Sequence, residues 1–114
     1  MKILFTTSGK ALNSPLEPRF GRSPGFLVYD LDNGTFEAVE NPNVNAAQGA
    51  GIQTAQIVVR LEAKALVTGH CGPKAFQVLQ AAGIPIFYSA AATVAEALAQ
   101  YREGQLVQAQ AANR

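Results

Sequence analysis

The pattern of apolar residues changes its period along this 114-residue chain, and this change constrains the fold most. Before residue 41 the apolar runs are short and β-prone, whereas from residue 48 helical periods alternate with short buried runs. The order β-β-β-α-β-α-β-α is therefore predicted, which is typical of an α/β domain with parallel units among the last three strands and an antiparallel hairpin edge. The predicted elements are strands 2–7, 25–31, 35–40, 64–68 and 84–88, and helices 48–62, 73–82 and 93–101.

Local signals support these boundaries. The turn Asp32-Asn33-Gly34 predicts a hairpin, because an Asn-Gly pair tolerates the positive φ of tight turns. Thr93 and Glu96 have the spacing of a capping box, and Gly83 is placed to end the second helix. The residues predicted to face the core are Ile52, Ala55 and Val59 in the first helix, Phe76, Leu79 and Ala82 in the second, and Val94, Leu98 and Tyr101 in the third.

Composition excludes several classes of protein. The formal net charge is +1 with no basic block, which argues against a nucleic-acid binder. No run is long enough for a membrane span or an export signal, and the one cysteine allows no intramolecular disulfide, so we expect a cytoplasmic protein. We expect a single domain over 1–104 and a flexible Gln- and Ala-rich tail over 105–114.

The segment Gly69-His70-Cys71-Gly72-Pro73 holds the only histidine and the only cysteine of the chain. It lies between a predicted strand and helix, and a helix N-terminus favours anions and depresses the pKa of a thiol. Thiolate and imidazole together suit copper, zinc or a thiolated metal centre. The alternative is a small buried cysteine beside a solvent-facing histidine. One of each is too few for an ordinary Cys₄ site, so a bound metal must bring other ligands, use backbone groups or be shared between chains.

The predicted loop 8–24 is the second candidate. Arg19 and Arg22 flank a Phe-Gly pair there, and arginine binds anions through its planar fork. With Lys10 and Lys74 they could surround the carboxyl ends of the strands with positive charge, where open parallel sheets bind ligands. Such a site would suit an anionic cluster, a phosphate or an oxyanion. The alternative is a solvated loop whose Phe20 plugs the core.

Other chemistries find less support. Gly49-Ala50-Gly51 lacks the spacing of a phosphate-binding motif, and we interpret it as a site of close helix packing. The carboxylates do not gather at one point, so a two-metal nuclease is not indicated. Ser8 has no His-Asp partnership, which argues against a hydrolase.

Four motifs, in order, carry a resemblance to a known family. The chain resembles the dinitrogenase iron–molybdenum cofactor biosynthesis family, which includes NifX-like proteins and the carboxyl-terminal domain of NifB-like proteins. The resemblance covers roughly residues 1–104, and some stand-alone members are similar to the orange proteins. The motifs are Pro18-x-Phe20-Gly21-Arg22-Ser23-Pro24-x-Phe26, Glu40-Asn41-Pro42, Gly49-Ala50-Gly51-Ile52-Gln53-x-Ala55-Gln56 and Gly69-x-x-Gly72-Pro73-x-Ala75-Phe76.

The resemblance implies a ribonuclease-H-like mixed sheet of about five strands with three helices. It also implies a non-enzymatic carrier of a sulfur cluster containing molybdenum, iron or copper, with a cluster-receiving protein or an ATPase as the expected partner class. Many members carry a histidine just before the Gly-Ala-Gly segment, where this chain has Asn45, Ala46, Ala47 and Gln48. The predicted cluster-binding residues are Ser8, Arg19, Arg22, Gly69, Gly72 and Lys74, with His70 and Cys71 as metal ligands.

Two alternatives to a cluster carrier remain open from the sequence. A small regulatory module that senses an anion or a nucleotide would bind phosphate-type ligands and would show no colour. An enzyme that uses the Cys71 thiolate for sulfur or redox transfer would need a strongly acidic thiol.

Overall fold

The computed structural model describes residues 1–42 and 49–113. The element types and their order confirm the prediction, and described boundaries move by no more than two residues. The predicted helix start at Gln48 and the turn residue Asn43 lie outside the described residues. The elements are β1 (Lys2–Thr7), a 3-10 helix (Phe20–Arg22), β2 (Gly25–Asp30), β3 (Phe36–Glu40), α1 (Ala50–Arg60), β4 (Ala65–Thr68), α2 (Pro73–Ala81), β5 (Ile86–Tyr88) and α3 (Val94–Arg102).

The five strands form one open sheet in the order β3-β2-β1-β4-β5. β2 pairs antiparallel with both β1 and β3, whereas β4 pairs parallel with both β1 and β5. The parallel set is therefore β1, β4 and β5, rather than the last three strands of the chain. The connection through α1 carries the chain from the edge strand β3 past β2 and β1. This arrangement confirms the mixed α/β fold that the sequence predicts.

Apolar side chains fill both faces of the sheet. On one face Leu4, Val28 and Leu66 pack with the buried sides of α1 and α2. On the other face Phe5 and Val67 pack with α3. Because β1, β2 and β4 bury side chains in both directions, they are apolar at most positions, whereas the edge strand β3 is largely exposed. Each fully buried large side chain stabilises the fold by about 1.5–3 kcal/mol relative to exposure.

The buried stripe of α1 differs from the predicted one. Ala55 and Val58 are fully buried, whereas Val59 is 37% exposed and Ile52 is only partly buried. The buried Thr54 hydroxyl accepts a hydrogen bond from Asn41 Nδ2 at 3.0 Å, so the helix presents residues 54, 55 and 58 to the interior.

The other helices need one further correction. In α2 the buried residues are Ala75, Phe76 and Leu79, and Ala82 is instead the exposed residue that caps the helix. In α3 the Thr93 cap is confirmed, since Thr93 Oγ1 accepts the Glu96 N–H at 3.2 Å. The predicted stripe is confirmed at Val94 and Leu98, and Tyr101 is only partly buried.

The segment that follows α3 returns along β5. Gln108 pairs with Phe87, and the Ala109 N–H donates to the Ile86 carbonyl at 2.7 Å. The hydroxyl of Tyr88 donates to the carbonyl of Ala111 at 2.9 Å. Residues 108–113 thus contact the sheet, and their predicted flexibility stays a prediction. Among the described residues no helix is long and apolar enough to cross a membrane.

Candidate functional site

The carboxyl ends of the parallel strands β1, β4 and β5 meet at one edge of the sheet. The segment after Thr7, the 69–72 loop and the turn at Ser89 all leave the sheet there. Open parallel sheets bind their ligands at this edge.

The long segment 8–24 is tied to this edge by backbone hydrogen bonds. The Phe20 N–H donates to the His70 carbonyl at 3.0 Å, and the His70 N–H donates to the Pro18 carbonyl. The Leu16 N–H donates to the Ala92 carbonyl at 3.1 Å, which joins the segment to the start of α3. A Cβ at Gly69 would lie 2.8 Å from the Pro18 Cα, so the two segments touch at a position that requires glycine.

Phe20 holds the middle of this segment in the core. It is 2% exposed, and its ring centroid lies 6.4 Å from that of Phe26. Arg19 and Arg22 on either side are exposed. The interpretation of Phe20 as a residue that plugs the core is therefore confirmed, whereas anion binding by the two exposed arginines stays a prediction.

The first cleft at this edge, here named the helix-end cleft, has a volume of about 630 Å³. The α1 and α2 N-termini both open into it, and both caps, Gly49 and Gly72, lack a side chain that could bond the first amides. Neither helix has an acidic residue in its first turn. The described lining contains two cations and no carboxylate: it comprises Gly21, Arg22, Gly49, Ala50, Gly51, Ile52, Gly72, Pro73, Lys74 and Ala75.

Close glycine packing brings the walls of the helix-end cleft together. A Cβ at Gly21 would lie 3.0 Å from the Gly51 Cα, so the 3-10 helix rests directly on the first turn of α1. A Cβ at Gly51 would lie 3.5 Å from the Ala75 Cβ, which is ordinary contact with α2. The interpretation of Gly49-Ala50-Gly51 as a packing site is thus confirmed at Gly51.

The second cleft, here named the His70 cleft, lies on the other side of the 69–72 loop and has a volume of about 530 Å³. Among the described lining residues, the exposed His70 has the only basic side chain. Ser89 Oγ donates to Gln100 Oε1 at 2.7 Å and accepts the Ala91 N–H at 3.1 Å, which fixes that wall. The lining residues are Leu16, Pro18, Gly69, His70, Tyr88, Ser89, Ala90 and Ala91.

Cys71 lies in the core beneath the 69–72 loop and is 1% exposed. Burial raises the pKa of its thiol to about 12, which corrects the expectation that the helix N-terminus would depress it. Loss of hydration therefore outweighs the helix dipole at this position. The thiol is 3.7 Å from the Gly72 carbonyl oxygen, to which it donates a weak hydrogen bond. A buried cysteine beside an exposed histidine is the arrangement that the alternative interpretation described.

The predicted site residues thus divide between two clefts. Arg22, Gly72 and Lys74 line the helix-end cleft, whereas Gly69 and His70 line the His70 cleft. Ser8 and Arg19 are exposed at the same edge but line neither cleft, and their role in binding stays a prediction. Within residues 1–42 and 49–113 no three His, Cys, Asp or Glu side chains gather as a metal site.

Sequence reasoning missed the polar groups that hold these loops. Asn41 Nδ2 donates to the Ser23 carbonyl at 2.9 Å as well as to Thr54, and thereby joins the end of the 3-10 segment to α1. Asn113 hydrogen-bonds to the 69–72 loop. The Glu40-Asn41-Pro42 motif drew attention to Asn41, whereas no pattern in the tail indicated the contact between Asn113 and the 69–72 loop.

The fold and these clefts define a class, namely a small open-sheet α/β domain with an electropositive cleft beyond the carboxyl ends of its strands. The family described as dinitrogenase iron-molybdenum cofactor matches residues 1–104, and the chain belongs to this family.

Solved structures and a curated relative agree with this assignment. The apo form of the orange protein from Desulfovibrio gigas superimposes with a TM-score of 0.95 at 39% identity, covering 99% of this chain and 96% of that one. A candidate NifB protein from Thermotoga gives a TM-score of 0.87 at 32% identity, covering 99% and 97%. An uncharacterized protein of Methanocaldococcus jannaschii is 29% identical over 97 residues, which is 82% of each chain.

Proposed function

We propose that this protein binds and carries an anionic metal–sulfur cluster without catalysing a reaction, in the cytoplasm. The expected cargo contains molybdenum with iron or copper, in keeping with a family that relates to the iron–molybdenum cofactor. The observation that carries the proposal is the helix-end cleft, where two helix N-termini, Arg22 and Lys74 meet with no carboxylate among the described lining residues. Helix N-terminal amides and cations at one point favour an anion.

The scarcity of protein ligands fits a carrier. A thiometalate cluster brings its own sulfides, so it needs charge and hydrogen bonds more than thiolates. His70 is the exposed soft-to-borderline ligand at this edge, and Cys71 could bind metal only if the 69–72 loop opened. A site with few direct metal bonds would release its cargo to a receiving protein or an ATPase more readily than a Cys₄ cage would.

A titration with tetrathiomolybdate tests where the anion binds. Replacing both cations (Arg22→Ala with Lys74→Ala) should weaken binding about tenfold at low salt and less at high salt, because exposed charges are screened. The control is Arg60→Ala with Lys64→Ala, which removes the same charge from exposed residues that do not line the cleft. Equal effects of the two double variants would contradict the assignment of the cleft.

A second function, the sensing of a phosphate-type anion, is favoured by the burial of Cys71, which withdraws the only thiol of the sequence from solvent. This function predicts that inorganic phosphate competes with tetrathiomolybdate for the helix-end cleft and that the protein retains no metal. Phosphate binding without metal retention would replace the carrier proposal with this one.

A further inference from the structure

Asn113 hydrogen-bonds to the 69–72 loop through both its side chain and its backbone. Its Oδ1 accepts the Cys71 N–H at 2.8 Å, and its Nδ2 donates to the Gly69 carbonyl at 3.2 Å. The Asn113 N–H donates to the Cys71 carbonyl at 2.9 Å. A carboxamide can both accept and donate, so one side chain satisfies two backbone groups of the loop.

The rest of the tail holds Asn113 in place with few contacts. Beyond the bonds to Ile86 and Tyr88 already described, Ala109 and Ala112 pack against the core cluster that contains Cys71. Most residues between 107 and 113 are exposed, with Val107 at 83%. A peripheral segment with so little buried surface opens at a lower free energy than the sheet does.

We propose that residues 108–113 form a strap in which Asn113 is a positioning residue. The strap holds the 69–72 loop against the sheet and keeps Cys71 out of solvent. Its local release frees the loop and makes the thiol reachable, while the sheet stays folded. This inference rests on the contacts of the tail and holds whether or not the protein carries a cluster.

Because Cys71 is the only cysteine of the sequence, its rate of chemical labelling measures how often the strap opens. We would measure the rate at which a maleimide labels Cys71 at fixed pH, over urea concentrations below the unfolding transition. Asn113→Ala should label roughly tenfold faster than the wild type, since it loses two side-chain hydrogen bonds. The matched control is Gln110→Ala, an exposed residue of the same tail whose side chain donates only to the Gln108 carbonyl, at 3.4 Å, and not to the loop, so the rate should stay unchanged.

The wild type alone provides a second test. If the strap opens locally, labelling depends only weakly on urea, because little surface is exposed in the opening. Labelling with the full urea dependence of global unfolding would overturn the proposal, whether or not Asn113→Ala folds. Equal labelling rates in Asn113→Ala and Gln110→Ala would overturn the role of Asn113.

Discussion

His70 and Cys71 are neighbours in sequence, yet they occupy opposite environments. The backbone pairing of the 69–72 loop with segment 18–20 leaves the imidazole in solvent and turns the thiol into the core. Their chemical roles therefore differ. The histidine is available to a metal at the surface, whereas the cysteine first contributes as a small apolar side chain.

The burial of the Cys71 thiol predicts that the free energy of unfolding decreases at alkaline pH. The unfolded thiol ionises near its ordinary pKa of 9.0, whereas the folded one ionises near 12, so between these values the folded state binds more protons. The free energy of unfolding should therefore decrease as pH rises through this window, by up to about 1.4 kcal/mol per pH unit. Urea unfolding of wild type and Cys71→Ala at several pH values tests this. The variant should show a shallower decrease, and parallel curves would contradict the burial of the thiol.

At the scale of elements, the edge is assembled by backbone contacts between segments distant in sequence. The Pro18–Gly69 contact and the Gly21–Gly51 contact join segment 8–24 to the 69–72 loop and to α1. The first depends on the absence of a Cβ at Gly69 and the second on its absence at Gly21. These contacts place Arg22 beside the N-termini of two helices.

The Gly69 contact predicts a large effect of a small substitution. Gly69→Ala places a Cβ 2.8 Å from the Pro18 Cα and 2.9 Å from the Pro18 oxygen, so backbone must move. Overpacking of this kind costs about 1–3 kcal/mol in the free energy of unfolding. Gly51→Ala is the control, because its Cβ meets only the Ala75 Cβ at 3.5 Å within a helix, where alanine is favoured. Urea denaturation of both variants should separate them, and equal midpoints would refute the close contact.

Local signals in the sequence predicted the elements well, and nonlocal packing explains what they missed. The capping box at Thr93 and the turn at Gly34, whose φ is +72°, act within a few residues and are readable directly. The presence of β1 instead of β3 in the parallel set depends on which strands pair, which no local pattern encodes. The backbone N–H of Cys71 donates to Asn113, a tail residue 42 positions away, and no local pattern indicates this contact. Arg22 and Lys74 were predicted as site residues, but the separation of the helix-end cleft from the His70 cleft was not predicted.

At the scale of the whole molecule, the side chains that stabilise the fold lie apart from the edge that forms the candidate site. The apolar side chains of the sheet pack against α1 and α2 on one face and against α3 on the other. The loops of the candidate site follow the carboxyl ends of β1, β4 and β5. Much of the described edge is therefore formed by backbone groups and exposed cations instead of a cage of side-chain ligands. The proposed carrier function needs an edge of this kind, because an anionic cargo held by charge and hydrogen bonds can be released.

The most direct test of the proposed carrier function is elemental analysis with a visible spectrum on protein purified without oxygen. The protein would be mixed with thiomolybdate, alone or with copper or iron, and then desalted. We expect stoichiometric molybdenum, with copper or iron, and charge-transfer bands that stay with the protein. A colourless and metal-free protein under every condition would contradict the carrier function.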